Sequence, residues 1–273
     1  MSTDSIQKYV VIDEPASVWH KAVSILHLAA ELTRADLHAK QFQRFLGPVW
    51  WIVEPSLMSL VFFFLTTRLN YSTGTNHFMF IFIGLTVWRF FQRSVENSTF
   101  SYVGYSYVIR QINFPLIAVN VSMVLTEMVF FLCGMLFILG FGAIFGMLSF
   151  GWTYLFLPVL FVSLGLFTLG AVILVSVTGV YVRDLPPPLT LFLSIVFFFS
   201  PGIYNPGELT GILSLLAAAN PFYYYLPAFR DILLKDQLPP ILPLLVWTTV
   251  AIGLVALSTW LYGRVRPRLL RIL

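Results

Sequence analysis

The sequence predicts an all-α, polytopic membrane protein with six transmembrane helices, and three observations predict it. Apolar residues make up 58% of the chain and charged residues 10%, against about 45–50% and about 25% in soluble domains. The apolar residues gather into runs close to the roughly twenty residues a helix needs to cross hydrocarbon, with short polar links between them. Lysine and arginine also fall unevenly on the two sides these runs define. With a cytoplasmic start, eleven of the sixteen lie inside (Lys8, Lys21, Arg34, Lys40, Arg44, Arg110, Arg183, Arg264, Arg266, Arg268, Arg271) and three outside (Arg68, Arg230, Lys235). Arg89 and Arg93 are ambiguous. Both termini are therefore expected in the cytoplasm, and the first residues show no signal-peptide pattern. One membrane domain over 1–273 is expected, without a soluble second domain.

Residues 13–46 read as an amphipathic interfacial helix. Asp13, Pro15 and Ser17 form a helix start, and Trp19, Val23, Leu26, Ala30 and Leu37 recur at helical spacing with charged residues between them. Too polar to span, this helix is expected in the cytoplasmic headgroup layer with Arg34, Lys40 and Arg44 near anionic lipid, or else packed on a partner as a soluble helix. The first span, 49–67, opens on Trp50 and Trp51, which suit an interfacial belt, and holds Glu54 and Pro55 one turn further along. The second, 78–102, is apolar to Trp88 and then polar, with Arg89, Gln92, Arg93, Glu96 and Asn97 on one face. Charges at membrane depth are costly unless paired, so pairing of Arg89 and Arg93 with Glu96 is expected, in a stripe facing a conduit. The alternative ends the helix at Trp88 and leaves these residues in the cytoplasm.

A polar cytoplasmic link, 102–115, leads to the third span, 118–145, whose only charge is Glu127. An uncharged turn leads to the fourth span, 152–181. Arg183 and Asp184 follow, and Pro186, Pro187 and Pro188 set the direction of the fifth span, 189–203. Ser200, Pro201 and Gly202 then break it. Residues 205–236 are irregular and contain Phe222, Tyr223, Tyr224 and Tyr225; irregular backbone at membrane depth needs protein or water around it, which hints at a conduit. The sixth span, 241–262, precedes the four closing arginines. Cys133 can form no intrachain disulfide and is expected to be a small core residue.

No Gly-x-x-x-x-Gly-Lys-Ser/Thr occurs, so any nucleotide energy must come from a partner. His20, His27, His38 and His77 show no metal-ligand pattern with cysteine and no Ser-His-Asp set is suggested, so no catalytic and no metal residue is assigned. Glu54, Glu96 and Glu127 do not make the acid series of a proton relay; an ion- or proton-coupled carrier is possible but not favoured. The chain's 27 Phe, 12 Tyr and 7 Trp include the Tyr223–Tyr225 run, whose phenols suit either sliding contact with sugar rings or an interfacial belt. No nucleic-acid partner is expected.

Four stretches stand in a familiar order: Arg34, Asp36, Leu37, Lys40, Arg44, Leu46, Gly47, Pro48, Trp50 and Pro55; then Ile109, Arg110, Phe114 and Pro115; then Tyr181, Arg183 and Asp184; then Ser200, Pro201, Tyr204, Asn220, Pro221 and Arg230. Together they resemble, over most of the chain, the membrane subunit of bacterial type-2 ABC exporters, the permease family that moves O-antigen, capsule and teichoic acid polymers. The resemblance implies an inner (plasma) membrane homodimer with two copies of a separate ATP-binding cassette subunit, which would bind ATP and Mg. It implies a lipid-linked polysaccharide as cargo. It also implies that Arg110, Phe114, Pro115, Arg183 and Asp184 dock on the ATPase. Residues 205–236 would then form short re-entrant helices gating the outer exit, and Arg89, Arg93, Glu96, Tyr204, Phe222, Tyr223, Tyr224 and Tyr225 are the channel or gate candidates. The same superfamily includes lipid and drug exporters, which often carry a large external domain that the short outer loops here do not supply.

Overall fold

The computed structural model describes residues 18–42, 49–68, 76–105, 115–202 and 219–272. They form nine α-helices: α1 (Val18–Phe42), α2 (Trp50–Arg68), α3 (His77–Ser98), α4 (Ser101–Gly104), α5 (Leu116–Ile144), α6 (Leu157–Tyr181), α7 (Pro186–Phe199), α8 (Phe222–Lys235) and α9 (Ile241–Ile272). A 3-10 segment, Trp152–Phe156, leads into α6. Five helical stretches, Trp50–Arg68, His77–Ser98, Leu116–Ile144, Trp152–Tyr181 and Ile241–Ile272, are long and apolar enough to cross a membrane. The chain is therefore an all-α, multi-pass membrane protein.

The expected fifth span is shorter than a crossing. α7 has 14 residues, about 21 Å at 1.5 Å per residue, against a hydrocarbon core of about 30 Å. Its first turn is the triple proline, placed where backbone N–H groups have no intrahelical acceptor. Among the described residues, five apolar helices are long enough to cross and α7 is a shorter sixth apolar helix. The second span also ends sooner than expected, at Ser98 rather than 102. The hydroxyls of Ser98, Thr99 and Ser101 donate to carbonyls three residues back and compete with the backbone ladder. α9 runs ten residues past Tyr262 and takes the closing arginines into the helix.

α3 is the hub. It packs against α2, α5, α6, α7 and α8, and its apolar face supplies Phe82, Trp88, Phe90 and Phe91 to the main core. Phe90 stacks on Phe131 of α5 at 5.0 Å between ring centroids, and Phe222 of α8 meets Trp88 at 4.8 Å and Phe91 at 4.7 Å. Between helices in lipid, apolar transfer contributes little, so such packing and interhelical hydrogen bonds carry the association. α1 lies against the start of α5, with Leu28 and Ala29 on Ala118 and Val119, and Thr33 donates to the Ser122 carbonyl. This end of the bundle, which also holds the end of α9, is called the α1 end.

One single-residue expectation is corrected. Cys133 is exposed rather than in the core, because the inward face of α5 at this level is Phe131, Gly134 and Met135. Arg230, counted among the outer cations, lies buried on α8 at 2% exposure.

Candidate functional site

An ionic cluster joins α2 to α3. Arg89 and Arg93 are one turn apart, a like-charged pair that is unfavourable by itself. Glu54 of α2 bridges them, one carboxylate oxygen 2.6 Å from Arg89 and the other paired with Arg93. Trp51, one turn before Glu54, lies 4.1 Å from the Arg93 guanidinium and stacks on Phe130 of α5, also at 4.1 Å. The expected pairing of the arginines with Glu96 is thus replaced by Glu54. Glu96 is engaged elsewhere, since the Trp88 indole donates to Gln92 and the Gln92 amide donates to Glu96, each at 3.0 Å. The polar face of α3 runs to Asn97, so the helix does not end at Trp88.

A second ionic contact ties α1 to the bundle. The Lys40 ammonium donates to Glu127 of α5 at 2.9 Å and lies 5.3 Å above the Trp51 ring. Asn97 donates to the same Glu127 oxygen at 3.1 Å. The other oxygen is buried without a hydrogen-bond partner among the described residues, and Glu127 lines a cavity of about 30 Å³ with Trp51, Arg89, Arg93 and Phe130. Lys40 therefore inserts as an anchor. Arg34 instead pairs with Glu31 on the exposed face of α1. Asp36 accepts a 3.3 Å hydrogen bond from the Tyr105 hydroxyl. Burial raises the Asp36 carboxyl above its ordinary value, and Lys40 and Tyr105 pull it partly back. Burial next to Asp36 pushes the Tyr105 phenol up to about 12, which keeps it a donor.

Below the ionic cluster lies a group of small polar residues. Asn120 donates to the Tyr102 hydroxyl at 2.6 Å, Ser176 donates to Asn120 at 3.0 Å, and Ser101 donates to Ser176 at 3.0 Å. Gly179 of α6 sits against the Thr99 carbonyl with no room for a Cβ. These contacts bind the end of α6 to the end of α3. Arg183 and Asp184 follow directly, in an exposed turn before α7. Pro115 stands immediately before α5. Arg110, Phe114, Arg44 and Tyr204 lie outside the described residues.

The aromatic candidates of α8 face mostly inward. Phe222 is 1% and Tyr225 0% exposed, the Tyr225 hydroxyl hydrogen-bonds Ser163 of α6 at 2.8 Å, and buried Tyr224 donates to the Pro240 carbonyl at 3.3 Å. Tyr223 is half-buried. The structure brings Arg89 and Arg93 together with residues read as minor, Glu54 and Trp51, and joins Lys40 to Glu127. Each lone acid in an apolar span was the available signal, since an intramembrane acid needs a partner. The group of Ser98, Ser101, Asn120 and Ser176 carried no such signal.

The ABC-2 type transporter family model matches residues 30–234. An O-antigen export system permease protein, RfbA, of Klebsiella pneumoniae is 25% identical over 251 residues, covering 91% of this chain and 96% of the relative. A protein of the same name from Myxococcus xanthus is 26% identical over 230 residues, covering 84% and 88%.

Proposed function

The chain belongs to the ABC-2 type transporter family, and we propose that it is the membrane subunit of an ATP-driven polysaccharide exporter, working as a homodimer with two copies of a separate ATP-binding cassette subunit. The cargo is a lipid-linked polymer of the O-antigen, capsule or teichoic acid type. The observation that carries this reading is similarity to O-antigen export permeases along nearly the whole chain rather than over one segment. The α1 end is the cytoplasmic end, in the bacterial inner membrane, where anionic lipid favours the arginines that close α9.

Coupling runs through the two links at that end. Arg183 and Asp184 are exposed, hence open to a partner, and their turn is braced by Gly179 on one side and three prolines on the other. A push on such a turn moves α6 and α7 rather than being absorbed locally. ATP and Mg are held by the partner subunit, and this chain converts the push into motion of its spans.

The test is co-purification from the native host in mild detergent, followed by an ATPase assay. A stoichiometric ATPase subunit is expected. Arg183→Ala with Asp184→Ala should leave the complex in the membrane while uncoupling hydrolysis from export. Recovery of the chain alone, with no hydrolysis, would overturn the reading; normal export in the double variant would remove the coupling role.

A further inference from the structure

Where α7 ends, backbone that has left the helix is buried: Ser200, Pro201 and Gly202 are all in the interior. Carbonyls there need donors, because neither water nor a helical ladder serves them. Arg230 of α8 is the donor. Its guanidinium bonds the Gly202 carbonyl at 2.6 Å and the Pro201 carbonyl, while its Nε–H donates to the Phe80 carbonyl of α3 at 2.8 Å. It also lies 3.6 Å over the Phe80 ring. α3 is shaped to receive it, since a Cβ on Gly84 would run into the guanidinium and the Gly202 carbonyl. Beside it, Asn220 donates to the Ser200 hydroxyl at 2.8 Å and accepts from the Phe222 N–H at 3.0 Å.

No carboxylate forms an ion pair with Arg230 among the described residues. A buried cation of this kind is a poor device for stability alone, because well-packed apolar residues of similar volume often serve as well. What an apolar side chain cannot do is hold carbonyls from two separate elements at once. The same α3 carries Arg89 and Arg93, bound to Glu54, about 14 Å and about 20 Å from Phe80 along the helix axis. A shift of α3 at the α1 end therefore reaches the turn after α7 through one continuous helix.

We propose that Arg230 is the positioning residue of the outer exit, clasping the turn after α7 to α3 so that the exit stays shut until α3 moves. The proposal rests on the exporter reading for what passes the exit, but not for the clasp itself. The test places a reporter, Ser200→Cys, in the turn after α7, where Ser200 is 1% exposed, in a Cys133→Ala background. Its labelling by a membrane-impermeant maleimide is followed from the outer side in vesicles, far below the melting temperature. Arg230→Met should speed labelling at least about tenfold, the factor of one lost ~1.4 kcal/mol hydrogen bond. Arg230→Lys, which keeps the charge but not the fork, should fall between. Gly84→Ala should act in the same direction with the arginine still present.

Labelling within about twofold of the parent in both Arg230→Met and Gly84→Ala would overturn the proposal, even if melting temperatures fell, and would leave Arg230 as packing. Should Arg230→Met fail to reach the membrane, Arg230→Lys and Gly84→Ala decide the matter. Labelling requires neither nucleotide nor polymer, so failure to recover an ATPase would remove the exporter reading without touching the clasp.

Discussion

Replacing Glu54 by Gln removes one charge and leaves two. Arg89 and Arg93 would face each other one turn apart with no carboxylate between them, on side chains only 23% and 20% exposed. A fully buried pair that loses one partner costs about 3–5 kcal/mol and a surface pair about 0–1. Glu54 is itself 35% exposed, so solvent screens part of the effect and about 2 kcal/mol is expected, between those limits. At about 2–4 °C per kcal/mol for a chain of this size, the detergent-solubilised variant should melt about 4–8 °C lower. The assay is a double-mutant cycle with Arg93→Gln, read as melting temperature. Because Arg93→Gln removes the like charge that Glu54→Gln exposes, the double variant should be less destabilised than the sum by at least about 1 kcal/mol. Strict additivity would refute the reasoning, for it would mean that Glu54 and Arg93 do not share an ionic contact.

Two further outcomes are expected. Asp36 has a carboxyl raised above 3.8 by burial; a folded value above the unfolded one contributes stability that is complete below about pH 4 and is lost as pH rises through the raised value. Asp36→Asn keeps the acceptor for Tyr105 and removes the titration, so its melting temperature relative to the parent should climb from pH 4 upward and then level off; a difference independent of pH would sink the assignment. Gly179→Ala drives a Cβ into the Thr99 carbonyl, an overpacking of about 1–3 kcal/mol that should lower the melting temperature. An unchanged melting curve would show that the ends of α6 and α3 are not held in contact.

Much of the architecture was legible along the chain. The tryptophans opening α2 and the triple proline opening α7 each act within a few residues, so these two helices begin close to where the pattern places them, while the helix start read at Asp13, Pro15 and Ser17 lies outside the described residues. The polar face of α3 was legible for the same reason, since Arg89, Gln92, Arg93, Glu96 and Asn97 follow helical spacing. The end of the fifth apolar helix was not: the apolar run reaches Phe199, but the inward-turned carbonyls of Pro201 and Gly202 beyond it are met by Arg230 from another helix. Nor was the inward orientation of Tyr225, which is set by Ser163 on another helix.

By itself the sequence determined the membrane class and the helical elements, because run length, composition and helical period are local quantities that need no partner. Only the tertiary structure decided which charges meet. Glu54 and Arg93 are 39 residues apart, Lys40 and Glu127 are 87 apart, and Arg230 and Phe80 are 150 apart. Periodicity states which face a charge stands on; in a bilayer, where each such group must find a counterpart within the protein, the identity of that counterpart follows from how the helices pack.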